Sequence, residues 1–106
     1  MKGMGDMGDL MRHAQQMSKE MQRIQHSLKE RIVEGSAGGG VVTVHVNGDQ
    51  EVLSVRLDPE AVDPDDVDML QDLIQAAVNQ AMKKAKDLAQ KEMGKVTGGM
   101  LPPGLF

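Results

Sequence analysis

The sequence predicts an α+β fold in which a long N-terminal helix and a long C-terminal helix flank a small antiparallel sheet. Three observations lead to this prediction: apolar residues at heptad spacing near the N-terminus, two β-branched runs in the middle, and a broad apolar stripe after residue 66. With 106 residues, 40% of them hydrophobic, the chain has the size and apolar content of one domain. We expect that domain to cover residues 1–95 and a flexible Gly- and Pro-containing tail to cover residues 96–106. Residues from Thr97 onward should be dispensable for folding.

The first helix is predicted from about Leu10 to Lys29, after a mobile lead-in at residues 1–9. Its apolar residues are separated by alternating steps of three and four, which places them on one narrow seam. The seam is formed by Met7, Leu10, Ala14, Met17, Met21, Ile24 and Leu28. Because a narrow seam suits a single partner helix, we interpret its members from Leu10 to Leu28 as a homodimer interface.

The central segment predicts two strands, at residues 41–46 and 52–57, and residues 32–34 are a candidate for a third, short strand. The Asn47-Gly48 pair marks the turn, and two loop lengths are compatible with it. A two-residue loop pairs Val44 with Glu51, whereas a four-residue loop pairs Val44 with Leu53 and Val42 with Val55. We favour the longer loop because it gathers one apolar face. That face consists of Val42, Val44, Leu53, Val55 and Leu57.

The second helix is predicted to begin after Asp63, which suits the N-cap, with Pro64 in the first helical position. It should continue to about Met93, with Gly94 ending it. Its apolar stripe is wide, and some thirty helical residues would span roughly 45 Å. A helix of that length exceeds the diameter of so small a domain, so one end should project or pack on another subunit.

The residue types exclude most chemistry. The chain has no cysteine, which rules out disulfides, thiolate metal sites and thiol catalysis. The glycine-rich run at residues 35–40 lacks the lysine and the following helix of a phosphate-binding loop, and the acidic residues at 58–72 lack EF-hand spacing. We therefore predict no catalytic residues, no metal, no cofactor and no small-molecule substrate. No signal peptide or membrane-spanning run is visible, which indicates a cytoplasmic protein.

The basic residues suggest a binding function despite the net charge of −4. On the first helix they form a stripe opposite the apolar seam, and on the second helix they cluster in its C-terminal half. The candidate DNA contacts are Arg12, Lys19, Arg23, Lys83, Lys86 and Lys91. These residues fit either a solvated helix face or a surface for duplex phosphates. Base stacking is disfavoured because the single aromatic residue is Phe106.

The central and C-terminal motifs also carry a family likeness: EGSAGGGV at residues 34–41, NG at 47–48, LDP at 57–59 and LQDLIQAAVNQA at 70–81. Over essentially the whole chain the sequence resembles the YbaB/EbfC family. This resemblance implies an αβββα protomer, with residues 32–34 in a third strand, and a tweezer-like homodimer. It also implies binding to double-stranded DNA, association with the nucleoid, and a role in nucleoid organisation and gene regulation. The alternative is a protein-interaction module whose projecting helices grip a partner protein.

Overall fold

The structure of the protein, a computed structural model, describes residues 2–97. Its elements are α1 (Lys2–Glu30), β1 (Ile32–Ala37), a 3-10 turn (Gly38–Gly40), β2 (Val42–Asn47), β3 (Val52–Leu57), a second 3-10 turn (Pro59–Ala61) and α2 (Val67–Thr97). The three strands form one antiparallel sheet in the order β1-β2-β3. The predicted αβββα order is therefore confirmed, including the third strand that begins at Ile32.

Helix α1 begins at Lys2, so the predicted lead-in at residues 1–9 is wrong for residues 2–9. This stretch holds glycines but no proline, and a glycine weakens a helix by about 1 kcal/mol without blocking its hydrogen bonds. At the other end, the backbone N–H of Gly48 donates to the carbonyl oxygens of Leu28 (2.8 Å) and Arg31 (3.0 Å). The turn between β2 and β3 thereby binds carbonyl groups at the end of α1, where helix hydrogen bonds run out; the carbonyl of Leu28 also accepts from the N–H of Arg31 at 3.1 Å.

The pairing of β2 with β3 differs from the predicted register by two residues. Val44 pairs with Val55 and Val42 with Leu57, and the ladder is irregular between His45 and Val46. The reason is the buried Asn47, whose side-chain oxygen accepts hydrogen bonds from the backbone N–H groups of Asp49 and Glu51, both at 3.0 Å. This places Asn47 at the end of β2 and moves the four-residue loop one residue later along the chain than predicted.

The core of the sheet lies under α2. Val42, Val44 and Val46 are fully buried, and they pack with alanines at every fourth position of α2: Ala77, Ala81 and Ala85. These short side chains let the helix lie close to the sheet. Because α2 packs chiefly on β1 and β2, it leaves β3 uncovered. Val55 and Leu57 share the face of their partners in β2 but remain 47% and 37% exposed, and Leu53 is 50% exposed.

Both ends of α2 lie beyond the predicted positions. The helix begins at Val67, and its N-cap is Asp66, whose carboxylate accepts from the N–H of Met69 at 3.2 Å. Asp63 instead closes the preceding turn by accepting from the N–H of Asp65 at 2.9 Å. The helix continues through Gly94 to Thr97 because residues on both sides of the glycine pack on α1. Residues 98–106 of the predicted tail lie outside the described residues.

The two helices meet in a second cluster, where Ile24 and Leu28 of α1 are buried against Met93 of α2. These two members of the predicted dimer interface are therefore covered within one chain. Leu10, Ala14 and Met17 remain exposed, as do all side chains of α1 from residue 7 to residue 20. The radius of gyration is 20.1 Å, against about 13 Å for a compact domain of 100 residues. The N-terminal part of α1 thus projects from the body as a free helix.

Candidate nucleic-acid interface

Helix α1 carries a basic stripe that consists of Arg12, Lys19 and Arg23. Their spacings of seven and four residues place them on one side of the helix, opposite the apolar seam. The stripe lies along the projecting part of α1 and its base, and all three side chains are exposed. Within residues 2–97 no other element covers these three side chains.

Two of these three cations have acidic partners on the same helix. Arg12 donates to Asp9 at 2.9 Å and Arg23 donates to Glu20 at 2.7 Å, with all four side chains at least half exposed. The hydrogen bond from Arg23 lowers the pKa of Glu20, and Glu20 in turn raises the pKa of Arg23. Exposed pairs of this kind contribute little to stability. They do reduce the positive charge of the stripe, and within residues 2–97 Lys19 alone of the three has no ion-pair partner.

The three lysines predicted on α2 are exposed, but they lie on different sides of the helix. Lys83 and Lys86 are on the side turned away from the alanine stripe, whereas Lys91 is on a flank. In the described part of the chain none of the three makes an ion pair. Together with Lys19, four of the six predicted contacts have no acidic partner within residues 2–97, whereas Arg12 and Arg23 each have one.

Two further lysines lie on the flank that carries Lys91, and neither is among the six predicted contacts. Lys84, Lys91 and Lys95 repeat the spacings of seven and four residues found on α1, and this spacing was the signal that could have identified them. Lys84 is already engaged: its ammonium group donates to the backbone carbonyl of Glu34 at 2.7 Å. Lys95 approaches Glu92 at 3.2 Å.

The two basic surfaces meet in a cleft of about 360 Å³ between α1 and α2. Arg23 and Lys95 line it from opposite helices, but so do Glu20 and Glu92. Glu92 also faces Arg31 at 3.8 Å. The charges of this cleft are balanced, so it does not form an anion pocket. The structure brings Arg23 near the lysine-bearing flank of α2 and leaves Arg12 and Lys19 out on the projecting helix.

The glycine-rich segment has a structural role. Gly38, Gly39 and Gly40 all have positive φ angles, of 64°, 73° and 97°, which glycine adopts at little cost. They form a 3-10 turn that leads into β2 and not into a helix. A phosphate cradle of the nucleotide-binding type needs a helix N-terminus at this point. The turn instead redirects the chain between two paired strands.

The outer face of the sheet, away from α2, carries a polar ladder. The ring of His45 lies 2.9 Å from a carboxylate oxygen of Glu34 and 3.1 Å from the hydroxyl of Ser54, so one side chain from each strand takes part. Across residues 2–97 there is no group of three His, Cys, Asp or Glu side chains arranged to hold a metal ion. Over the same residues neither helix has an apolar stretch long enough to cross a membrane.

Two long helices on a small sheet thus carry the exposed basic residues. Comparison with known proteins assigns the chain to a class of DNA-binding proteins. The model of the YbaB/EbfC DNA-binding family matches residues 4–100. The chain therefore belongs to the YbaB/EbfC DNA-binding family, whose members in these comparisons are nucleoid-associated DNA-binding proteins and not enzymes.

Similar proteins cover nearly the whole chain. A nucleoid-associated protein of Alkaliphilus metalliredigens is 56% identical over 106 residues, which are 100% of this chain and 93% of the relative. Another, from Pelotomaculum thermopropionicum, is 51% identical over 102 residues, covering 96% and 97% of the two chains. Among solved structures, the uncharacterized protein HP0035 from Helicobacter pylori matches with a TM-score of 0.68 at 25% identity, over 80% of this chain and 86% of that one.

Proposed function

We propose that the protein binds duplex DNA as a homodimer, mainly through phosphate contacts, and acts on the nucleoid of the cytoplasm in nucleoid organisation and gene regulation. The observation that carries this proposal is the set of exposed cations along both long helices that have no acidic partner among the described residues: Lys19, Lys83, Lys86 and Lys91. Lysines of this kind contact phosphates and carry no sequence information. Membership of a DNA-binding family supports DNA as the partner.

The charge balance supports modest, salt-sensitive binding. The chain has a net charge of −4, so a local basic surface must overcome an acidic body. Each phosphate contact releases counterions and makes the affinity fall with salt. The ion pairs of Arg12 and Arg23 weaken the stripe further, since their acids must give way before both arginines can contact DNA. We expect little sequence preference, because the described residues hold no aromatic side chain for stacking and the basic residues suit the backbone.

A titration of the purified protein with duplex DNA across salt concentrations tests this proposal. Replacing Arg12, Lys19 and Arg23 together by Gln should flatten the slope of log K against log salt by about 0.9 for each phosphate that is no longer bound. Binding to unrelated sequences should weaken about equally. As a charge-matched pair, Lys19→Gln should weaken binding more than Arg56→Gln, which removes one cation from β3. Unchanged affinity and slope in the folded triple variant would contradict the proposal, and so would loss of binding on a single base-pair change.

The two edges of the sheet support dimerisation through β3. At the outer edge of β1, the N–H of Ser36 donates to the side-chain oxygen of Gln80 at 2.8 Å, and Lys84 donates to the carbonyl of Glu34 at 2.7 Å. Side chains of α2 thus occupy this edge. Within the described residues no side chain occupies the outer edge of β3 in the same way. An open strand edge is a template for pairing with another chain.

The apolar residues around β3 point to the same surface. Seven large apolar side chains on β3, the following loop and the start of α2 are between 37% and 50% exposed. They are Val52, Leu53, Val55, Leu57, Val62, Val67 and Met69. Apolar patches of this kind mark interfaces, and a twofold axis beside β3 would cover them while doubling the number of basic helices. The α1 interface predicted from sequence stays a prediction for its exposed members.

Sedimentation of a paired variant tests the dimer. Val55→Asp together with Leu57→Asp places two charges in the proposed interface and should give monomers. Gln50→Asp adds charge in the neighbouring turn and should leave the dimer intact. A wild-type monomer at micromolar concentration would contradict dimerisation. A dimeric double variant would contradict the β3 interface and favour the exposed seam of α1.

A further inference from the structure

An apolar surface on α1 is left without a partner in the described chain. We call it the outer seam: Met7, Leu10, Met11, Ala14 and Met17. Met7, Leu10 and Met11 are 65–67% exposed and Met17 is 47% exposed. The inner part of the same seam, at Ile24 and Leu28, packs on α2. The outer seam is thus the continuation of an established helix contact beyond the point where α2 provides side chains.

The end of α2 lies at the start of the outer seam. The two helices are antiparallel, so α2 runs toward the N-terminus of α1. Val96 packs with the cluster around Ile24 and Leu28. It also lines a hollow of about 190 Å³ with Met17 and with three polar residues of α1: His13, Gln16 and Glu20. Helix α2 therefore ends near Met17, with its axis directed along α1 toward the outer seam.

We propose that residues 98–106 of the same chain lie along the outer seam and cover it. The segment is GGMLPPGLF, which contains four large apolar residues and no charge. Its two prolines oppose continuation of the helix and favour an extended chain. Methionine side chains adapt to varied partners and make favourable contacts with an aromatic ring, and Phe106 is the one aromatic residue of the sequence.

The length of the segment is sufficient. The ten residues after Val96 span up to about 33 Å when extended. Along α1, Leu10 lies about 11 Å and Met7 about 15 Å from Met17. The apolar hollow at the other end of α2, next to Met69, is out of reach, because it lies about 40 Å from Val96 along the helix.

Attachment to the same chain favours this occupant over a copy that is free in solution. A short flexible linker holds a segment at an effective concentration on the order of millimolar, far above that of chains outside the proposed dimer. Coverage of the outer seam also leaves Arg12, Lys19 and Arg23 open, because they lie on the opposite side of α1. The docking of the segment and the binding of DNA are therefore independent, and either proposal can fail alone.

A single fluorophore tests the docking. The sequence has no Trp or Tyr, so F106W introduces a unique indole at the end of the segment. Its emission maximum should lie at a shorter wavelength than that of the free peptide GGMLPPGLW, because a docked indole is shielded from water. Leu10→Ser with Met11→Ser, both outside the core, should return the emission to that of the peptide. Gln15→Ser, on another side of α1, should leave the shift in place.

Two outcomes of these measurements would overturn the proposal. Emission equal to that of the free peptide would show that the segment is not docked. A shift that persists with Leu10→Ser and Met11→Ser would show docking elsewhere.

A mixing experiment separates the same chain from a second copy. Chains with F106W, Leu10→Ser and Met11→Ser are refolded with an excess of wild-type chains. If the segment docks on its own α1, the emission should stay that of the peptide. Recovery of the shift would show docking on another copy and would overturn the proposal for the same chain. A DNA titration of the F106W protein should give the wild-type salt slope.

Discussion

Gly35 of β1 lies against the backbone of Ala81 of α2, with no room between them for a side chain. A Cβ atom at residue 35 would lie 2.5 Å from the nitrogen and 2.9 Å from the Cβ of Ala81, and it would overlap the carbonyl oxygen of Ala77. Backbone atoms of a packed helix cannot move aside as the end of a flexible side chain can. The close packing of α2 on the sheet therefore depends on glycine at residue 35.

Gly35→Ala should destabilise the protein by about 1–3 kcal/mol, the usual range for overpacking a close contact. Urea unfolding measures this change. Gly8→Ala is the matched control, because a Cβ at Gly8 on the projecting helix meets nothing within 4 Å. The control should be neutral or stabilise by up to about 1 kcal/mol through helix propensity. A Gly35→Ala variant as stable as the wild type would contradict the close packing of α2 on β1.

Removal of the acids beside the basic stripe should strengthen DNA binding. Asp9→Asn and Glu20→Gln eliminate the carboxylates that engage Arg12 and Arg23. Each change frees an arginine and lowers the negative charge, so the salt slope should steepen by up to about 0.9 for each additional phosphate that is bound. Asp49→Asn makes the same charge change in the β2–β3 turn and should have a smaller effect. Equal effects of all three substitutions would mean that net charge alone matters.

The pair of Glu20 and Arg23 should persist at acidic pH. The hydrogen bond from Arg23 lowers the pKa of Glu20, so the paired state is fully present above the ordinary glutamate pKa and is lost only as pH falls through the lowered value. An NMR titration of the side-chain carboxyl carbon measures the midpoint. Arg23→Gln should raise it, and an unchanged midpoint would contradict the pairing.

Lys84 and Lys91 share a flank of α2 but should have different roles. The ammonium group of Lys84 is bound to the carbonyl of Glu34, so Lys84→Met should lower the free energy of unfolding by about 0.5–1.5 kcal/mol. Its effect on the DNA salt slope should be small. Lys91→Met should leave the free energy of unfolding nearly unchanged and should reduce the DNA salt slope, because the ammonium group of Lys91 makes no such contact in the described residues. Thermal unfolding and DNA titration of both variants measure the two effects. A stable Lys84→Met variant with weak DNA binding, or an unstable Lys91→Met variant with unchanged DNA binding, would refute these roles.

The order of elements could be predicted because helix and strand periodicities are local properties of the sequence. The register of β3 could not, because it depends on the side chain of Asn47. The sequence marks Asn47-Gly48 as a turn, but it does not tell that the side-chain oxygen binds two backbone N–H groups and holds Asn47 in β2. Likewise, several aspartates before α2 suit an N-cap, and only the packing of the helix selects Asp66.

Only part of the candidate interface could be predicted, again because the sequence does not show how side chains pack. Heptad spacing identified the seam of α1, but periodicity does not reveal which helix covers it, and Ile24 and Leu28 are covered by α2 of the same chain. The basic stripe was visible in the sequence. The partners of Arg12 and Arg23 were not identified, because acids three residues away contact them only in particular rotamers.

Because α1 is held at its C-terminal end by the contact with Gly48, a small rotation there is amplified into a larger displacement at its projecting N-terminal end. From Leu28, where the carbonyl receives the N–H of Gly48, to Met7 the helix is about 32 Å long. A rotation of roughly 5° at this joint moves the tip by about 3 Å, given that arm length. In the dimer proposed above, the spacing between two such arms would depend on this turn of the sheet and on the packing of Ile24 and Leu28 against α2, both far from the predicted DNA contacts at the tip.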